Sequence, residues 1–119
     1  MSFSKDHTKE IDILFDILKT HVKEKFEQEV SSIDDLKIES RKKHLVYFRK
    51  MLMVILGETF INKNYTQEEI SAVVNLDRTS FIYHSKTHLN HYTRYSSYKK
   101  EYDSIRNEFL DKIGHDNTK

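Results

Sequence analysis

The sequence predicts an all-α protein: a compact bundle of about five helices that contains a helix-turn-helix, with an N-terminal amphipathic helix packed on it. Three observations predict this. The 119 residues include no proline and two glycines, so backbone breaks are few and connections short. Apolar residues recur at spacings of three and four, the period of a helix with one buried stripe. Thr66 followed by Glu69 is the pattern of a capping box, in which a hydroxyl and a carboxylate each serve an orphan backbone N–H at a helix start.

The elements follow in order. From Asp6 to Val30, residues Ile11, Leu14, Phe15, Leu18, Val22, Phe26 and Val30 form one stripe. Ser31-Ser32 interrupts it, and Ile33 to Leu36 reads as a short connecting turn. A second long helix fits Ser40 to Phe60, with Leu45, Phe48, Leu52, Ile55 and Leu56 facing inward. Residues 61–65 read as a loop. The third helix is short, Gln67 to Val74, and Asn75-Leu76 makes the turn after it, because Asn tolerates left-handed backbone angles. Asp77 is the expected N-cap of a fourth helix from Arg78 to about His91, with Phe81, Ile82, Ser85 and Leu89 facing inward. Ser96 or Ser97 caps a fifth, whose stripe is Tyr98, Tyr102, Ile105, Phe109 and Ile113. Gly114 stands where a C-terminal cap belongs, and the last residues are expected to fray. Three segments result: an N-terminal helix over 1–34, a helix-turn-helix unit over 35–95 and a C-terminal helix with its tail over 96–119.

The composition bounds the function classes. No apolar run reaches the length of a membrane span, and the N-terminus lacks the apolar core of a signal peptide. The chain has no cysteine, which excludes disulfides and cysteine-rich zinc sites and makes a reducing cytoplasm the expected compartment. A net charge of +1 conceals a division. Residues 1–35 hold five Lys/Arg against nine Asp/Glu, residues 36–100 hold twelve against five, and residues 101–119 hold three against five. A basic middle between acidic ends suits a protein that turns one face towards a polyanion. Arg41, Lys42, Lys43, Arg49 and Lys50 crowd the first half of the second helix, where cations oppose the helix dipole. Local stability therefore does not explain them, and a polyanionic partner does.

Other chemistries fare less well. His84 and His88 stand at i, i+4 with His91 nearby, but no H-E-x-x-H motif completes a metal site, so no metal is expected. Tyr92, Tyr95, Tyr98 and Tyr102 resemble a stacking surface for single strands, yet Tyr98 and Tyr102 share a helical stripe with Ile105 and Phe109, which favours core packing. The acid pairs Asp34-Asp35 and Glu68-Glu69 have nothing nearby to complete an acid–base site. Neither an enzyme nor a cofactor is expected.

Two blocks carry a family resemblance. From Asp35 to Met53 the string D-L-K-I-E-S-R-K-K-H-L-V-Y-F-R-K-M-L-M resembles the C-terminal DNA-binding domain of the bacterial replication initiator DnaA, which opens with Asp-Leu, a basic run and Arg-Gln-(Met/Ile)-Ala-Met. Tyr65 to Leu89 looks like that family's helix-turn-helix, ending in its Asp-His-Thr-Thr-Val-hydrophobic-His signature. Here the signature stands as Asp77-Arg78-Thr79-Ser80-Phe81-Ile82-Tyr83. The resemblance implies that Arg41 enters the minor groove, that Arg49 contacts phosphate, and that Lys50, replacing a Gln, lies near the DNA backbone. It also implies that Asp77, Thr79 and Ser80 open a recognition helix. Arg78 replaces the family's His and is able to pair bidentately with guanine. Tyr83 replaces another His, and Asn75-Leu76 a glycine-rich turn. With Lys42, Lys43 and Lys86, these residues make up the expected DNA surface.

The resemblance stops at the reading head. No glycine-rich loop ending in Gly-Lys-(Ser/Thr) is present, since Gly57 and Gly114 are isolated, so no nucleotide cofactor is expected. The expected partner is double-stranded DNA, bound by a monomer or weak homodimer, with the first helix packed in cis. Replication initiation, its inhibition and transcription regulation remain open roles. The alternative is a helical protein-interaction module that does not bind DNA.

Overall fold

The longest apolar run of the chain, Met51 to Leu56, lies in a helix covered on every side. The computed structural model describes residues 5–37, 41–60 and 66–117. Every regular element among them is a helix: α1 Lys5–Phe26, α2 Asp34–Lys37, α3 Lys43–Phe60, α4 Gln67–Ala72, α5 Arg78–Arg94 and α6 Ser96–Asn117. α3 is the central element. It buries Tyr47 to Gly57 without a break, Arg49 and Lys50 included, and from Met51 to Leu56 it is apolar all round, as a helix covered on every side is expected to be. α1 and α5 pack along it, α2 and α4 touch it, and α6 closes the bundle against α1 and α5.

The five inward residues expected of the second helix, Leu45, Phe48, Leu52, Ile55 and Leu56, are all buried. They meet Ile11, Leu14, Phe15, Leu18 and Val22 of α1 and Tyr98, Tyr102, Ile105, Phe109 and Ile113 of α6 in one cluster. Phe15 and Phe48 rings tilt together at 5.1 Å. The N-terminal helix thus packs in cis, and all three sequence segments contribute to one core. The Cα radius of gyration, 13.5 Å, is that of a fully compacted chain of this length. Among the described residues no helix is long and apolar enough to cross a membrane.

Several boundaries differ from expectation: α4 ends at Ala72 rather than Val74, α5 runs on to Arg94 rather than about His91, and four further differences have a local reason. α1 stops at Phe26, not Val30: Glu27 takes a left-handed φ of 57° and donates its N–H to Lys23 O at 2.9 Å. Val30 is still buried at 1% exposure, because the returning chain, not the helix, carries it into the core. The expected turn at Ile33 to Leu36 becomes the single-turn α2, held by the Asp35 carboxylate, which accepts from the N–H groups of Ser31 and Ser32 at 2.8 and 3.3 Å. α3 begins at Lys43, after the non-helical Arg41 and Lys42. Gly114 is not a cap, since α6 continues through it to Asn117 and no glycine adopts positive φ. The expected helix start at Ser40, the loop at 61–65 and the frayed Thr118-Lys119 lie outside the described residues.

Candidate nucleic-acid interface

The α4–α5 corner is built from local hydrogen bonds. Thr66 has extended backbone angles, φ −94° and ψ 163°. Its hydroxyl accepts from Glu69 N–H at 3.1 Å, and the Glu69 carboxylate accepts from Thr66 N–H at 2.9 Å, so the capping box closes in both directions. At the other end Asn75 takes φ 59°. Its N–H reaches Ala72 O at 3.1 Å, and Leu76 N–H reaches Ser71 O at 3.0 Å. This pair of bonds is a Schellman closure with Asn in the left-handed position that glycine more often fills. Asp77 follows with φ −105° and ψ 178°, and its Oδ1 accepts from Ser80 N–H at 2.9 Å, capping α5. Two turns of backbone therefore orient α5 against α4, and Ile70 and Phe81 are buried beneath them.

The side chains at the start of α5 divide between two faces. Ser80 and Tyr83 border a groove whose other wall is Arg41, Arg49 and Lys37, with the Asn75-Leu76 turn at one end. Tyr83 is 63% exposed. Thr79, Tyr83 and Lys86 are all exposed and follow one another at four and three residues, so they share one helix face. Asp77, Arg78 and Thr79 instead border a hollow with Thr66, Glu68 and Glu69. Arg78 is exposed, and its Nε donates to Gln67 Oε1 at 3.1 Å. That contact holds the guanidinium near the α4 N-terminus.

Arg41, Lys42 and Lys43 are exposed beside the first turn of α3, whose first turn contains no acid. Arg49 and Lys50 are another matter. Arg49 is 6% exposed and its Nε donates to Leu36 O at 2.8 Å, tying α3 to α2. Lys50 is 5% exposed; its Nζ lies 3.1 Å from His91 Nδ1 and 4.7 Å from the Tyr98 ring centre. Burial pushes both pKa values below their ordinary range. The expected placement of these two on an outer face is corrected: the covering helices turn them into internal cations that line cavities, because α3 is the core element and has no solvent face at that level.

The three histidines of α5 are engaged by packing and neighbouring side chains. His84 is buried, and burial, then the Lys50 and Arg49 charges, push its pKa down to about 4. His88 Nδ1 lies 2.8 Å from Tyr98 Oη, and burial together with Lys50 pushes its pKa to about 4 as well. His91 is lowered for the same reasons. Among the described residues no three His, Asp or Glu side chains gather at metal-binding distances. Tyr98 and Tyr102 are core residues, as their helical spacing predicts, and Tyr102 donates to Glu58.

The structure thus brings Arg41, Arg49, Ser80 and Tyr83 around one groove, sets Asp77, Arg78 and Thr79 on the adjoining hollow, and turns Lys50 into a separate cleft. Lys37 and His84 also line the groove and were not anticipated. Lys37 follows directly on Asp-Asp-Leu, and His84 stands one turn after Ser80, the signals that point to them. No protein-family model, curated protein or solved structure matches the chain.

Proposed function

We propose that this protein is a double-stranded DNA reader. α5 lies in the major groove, with Arg78 and Thr79 at base edges and Tyr83 and Lys86 along the strand. Arg41 reaches the minor groove or the adjoining backbone, and Lys42 and Lys43 neutralise phosphates. The observation that carries this reading is the groove in which Arg41, from the approach to α3, faces Ser80 and Tyr83 of α5. It supports the reading because a helix-turn-helix binds by combining a recognition helix with backbone contacts from a second element. The doubly capped α4–α5 corner supports it further, since rigid supports hold base-reading side chains in register. The likeness of the two sequence blocks to the initiator's DNA-binding domain makes replication initiation, or competition for its sites, the favoured context.

Selection from a pool of random duplexes tests the proposal. The expected outcome is a short enriched site containing guanine opposite Arg78, relaxed at that position by Arg78→Ala, at a cost of about 1–3 kcal/mol for the favoured base. Recovery of an unenriched pool would overturn it.

A helical interaction module is the second reading. It draws on the burial of Arg49 and Lys50 and on Leu89, which is 62% exposed on α5. Capture of a replication or transcription protein by a variant that has lost duplex binding would favour it.

A further inference from the structure

A cleft of about 370 Å³ opens between the C-terminal end of α1, the first half of α3 and the start of α6, and shares only Arg41 and Val46 with the groove described above. Lys50 is the buried cation that lines it. Among the described residues no carboxylate lies within ion-pairing distance of that ammonium; its polar neighbour is His91 Nδ1 at 3.1 Å. An ammonium offers three donors, and a buried cation without a counter-charge is costly. The acid lining the cleft, Glu101, is already engaged: Lys25 Nζ holds one carboxylate oxygen at 3.0 Å and Tyr47 Oη the other at 2.8 Å. Glu101 therefore does not neutralise Lys50.

Two further features point the same way. Arg41 and Lys43 stand at the cleft and are exposed. Ser97 and Tyr98 place the N-terminus of the 22-residue α6 there as well. The first backbone bond of α6 runs from Lys99 N–H to Tyr95 O at 3.0 Å, so the N–H groups of Ser96, Ser97 and Tyr98 precede the ladder. No acid occupies the first turn of α6 to offset its positive end. A buried ammonium, two exposed cations and an open helix N-terminus converge on one space.

We infer that this cleft is a phosphate-binding site, with a phosphate group seated on Lys50 and the N-terminus of α6 and covered by Arg41 and Lys43. Phosphate suits it better than carboxylate, because three side-chain cations and several free N–H donors match a group with more oxygens and more charge. The phosphate belongs either to a small phosphate monoester or to a nucleic-acid backbone. The inference does not depend on base reading by α5.

An NMR titration of the full chain with inorganic phosphate, set against sodium chloride at equal ionic strength, tests it. Saturable shifts at Ser97, Tyr98 and His91 are expected, lost in Lys50→Met. The Arg41→Ala/Lys43→Ala variant, which changes only exposed residues and so keeps the fold, is expected to weaken binding roughly tenfold. Linear, non-saturating shifts would overturn the site, as would saturation unchanged in both variants. A labelled duplex then separates the sources: displacement of the duplex by phosphate assigns the site to the DNA backbone, and simultaneous occupancy assigns it to a free monoester. If the duplex fails to bind while phosphate saturates the cleft, the DNA reading fails and the phosphate site stands.

Discussion

Arg41 to Lys43 and Arg49-Lys50 are separated by about two helical turns and meet opposite environments. The first group is exposed beside a helix start, and the second is covered by α2, α5 and α6 with its charges directed at a carbonyl, an imidazole and a ring. The same residue types therefore do different work. An exposed cation contributes little to folding and is available to a partner. A buried one is bound up with the fold, and removing it leaves its partner unsatisfied. Counting basic residues along the chain overstates the binding surface, and the position of the covering helices corrects the count.

That contrast is open to attack by mutation, beginning with the core that creates it. Phe48→Ala, at a side chain with 0% exposure, is expected to destabilise the protein by about 3–5 kcal/mol in chemical denaturation. A loss under 1 kcal/mol would mean that α3 is not the central helix. Arg49→Ala comes next. It strands Leu36 O and opens space beneath α2, so a cost of about 1–3 kcal/mol is expected, whereas Arg41→Ala should leave stability within about 0.5 kcal/mol of the parent. Equal effects of the two would erase the distinction between buried and exposed cations.

Acid sharpens the comparison from another side. His84 and His88 have folded-state pKa values near 4 against an ordinary 6.5, so the unfolded chain binds more protons between those values. Their contribution to stability is complete above pH 6.5 and declines as pH falls towards 4. Denaturation midpoints measured across that window should fall with pH, and His84→Gln should flatten the slope. An unchanged slope in that variant would place the titration elsewhere. A smaller loss than that of the buried cation belongs to the corner: Asp77→Ala removes the α5 cap at a cost of about 0.5–2 kcal/mol, while Asp77→Asn should retain most of it.

The features legible in the sequence are those set by neighbours within a few residues. Thr66 with Glu69, Asn75 in its left-handed turn and Asp77 with Ser80 each close a bond over a span of at most five residues, and residue type and spacing predict them. The stripes of α1, α3 and α6 were legible too, because burial repeats with the helical period, whereas Leu89, expected on the inner face of α5, is 62% exposed. What lay beyond reach depends on distant segments. Val30 continued the stripe of α1 in spacing, yet it is buried by a returning chain. Arg49 and Lys50 looked like an outer basic face because nothing local records that His91 and Tyr98 cover that level of α3. Gly114 carries a capping residue's identity, but α6 continues because its backbone stays helical there.

The central proposal, that the surface around Arg41 and the start of α5 binds duplex DNA, is tested most directly by fluorescence anisotropy of a labelled duplex at two salt concentrations. The parent protein should bind with a logarithmic salt slope of about 0.9 per phosphate neutralised. Joint replacement of Arg41 and Arg78 by alanine should weaken binding and lower that slope by one to two such increments. Binding indifferent to salt, or unchanged by the double replacement, would contradict the account.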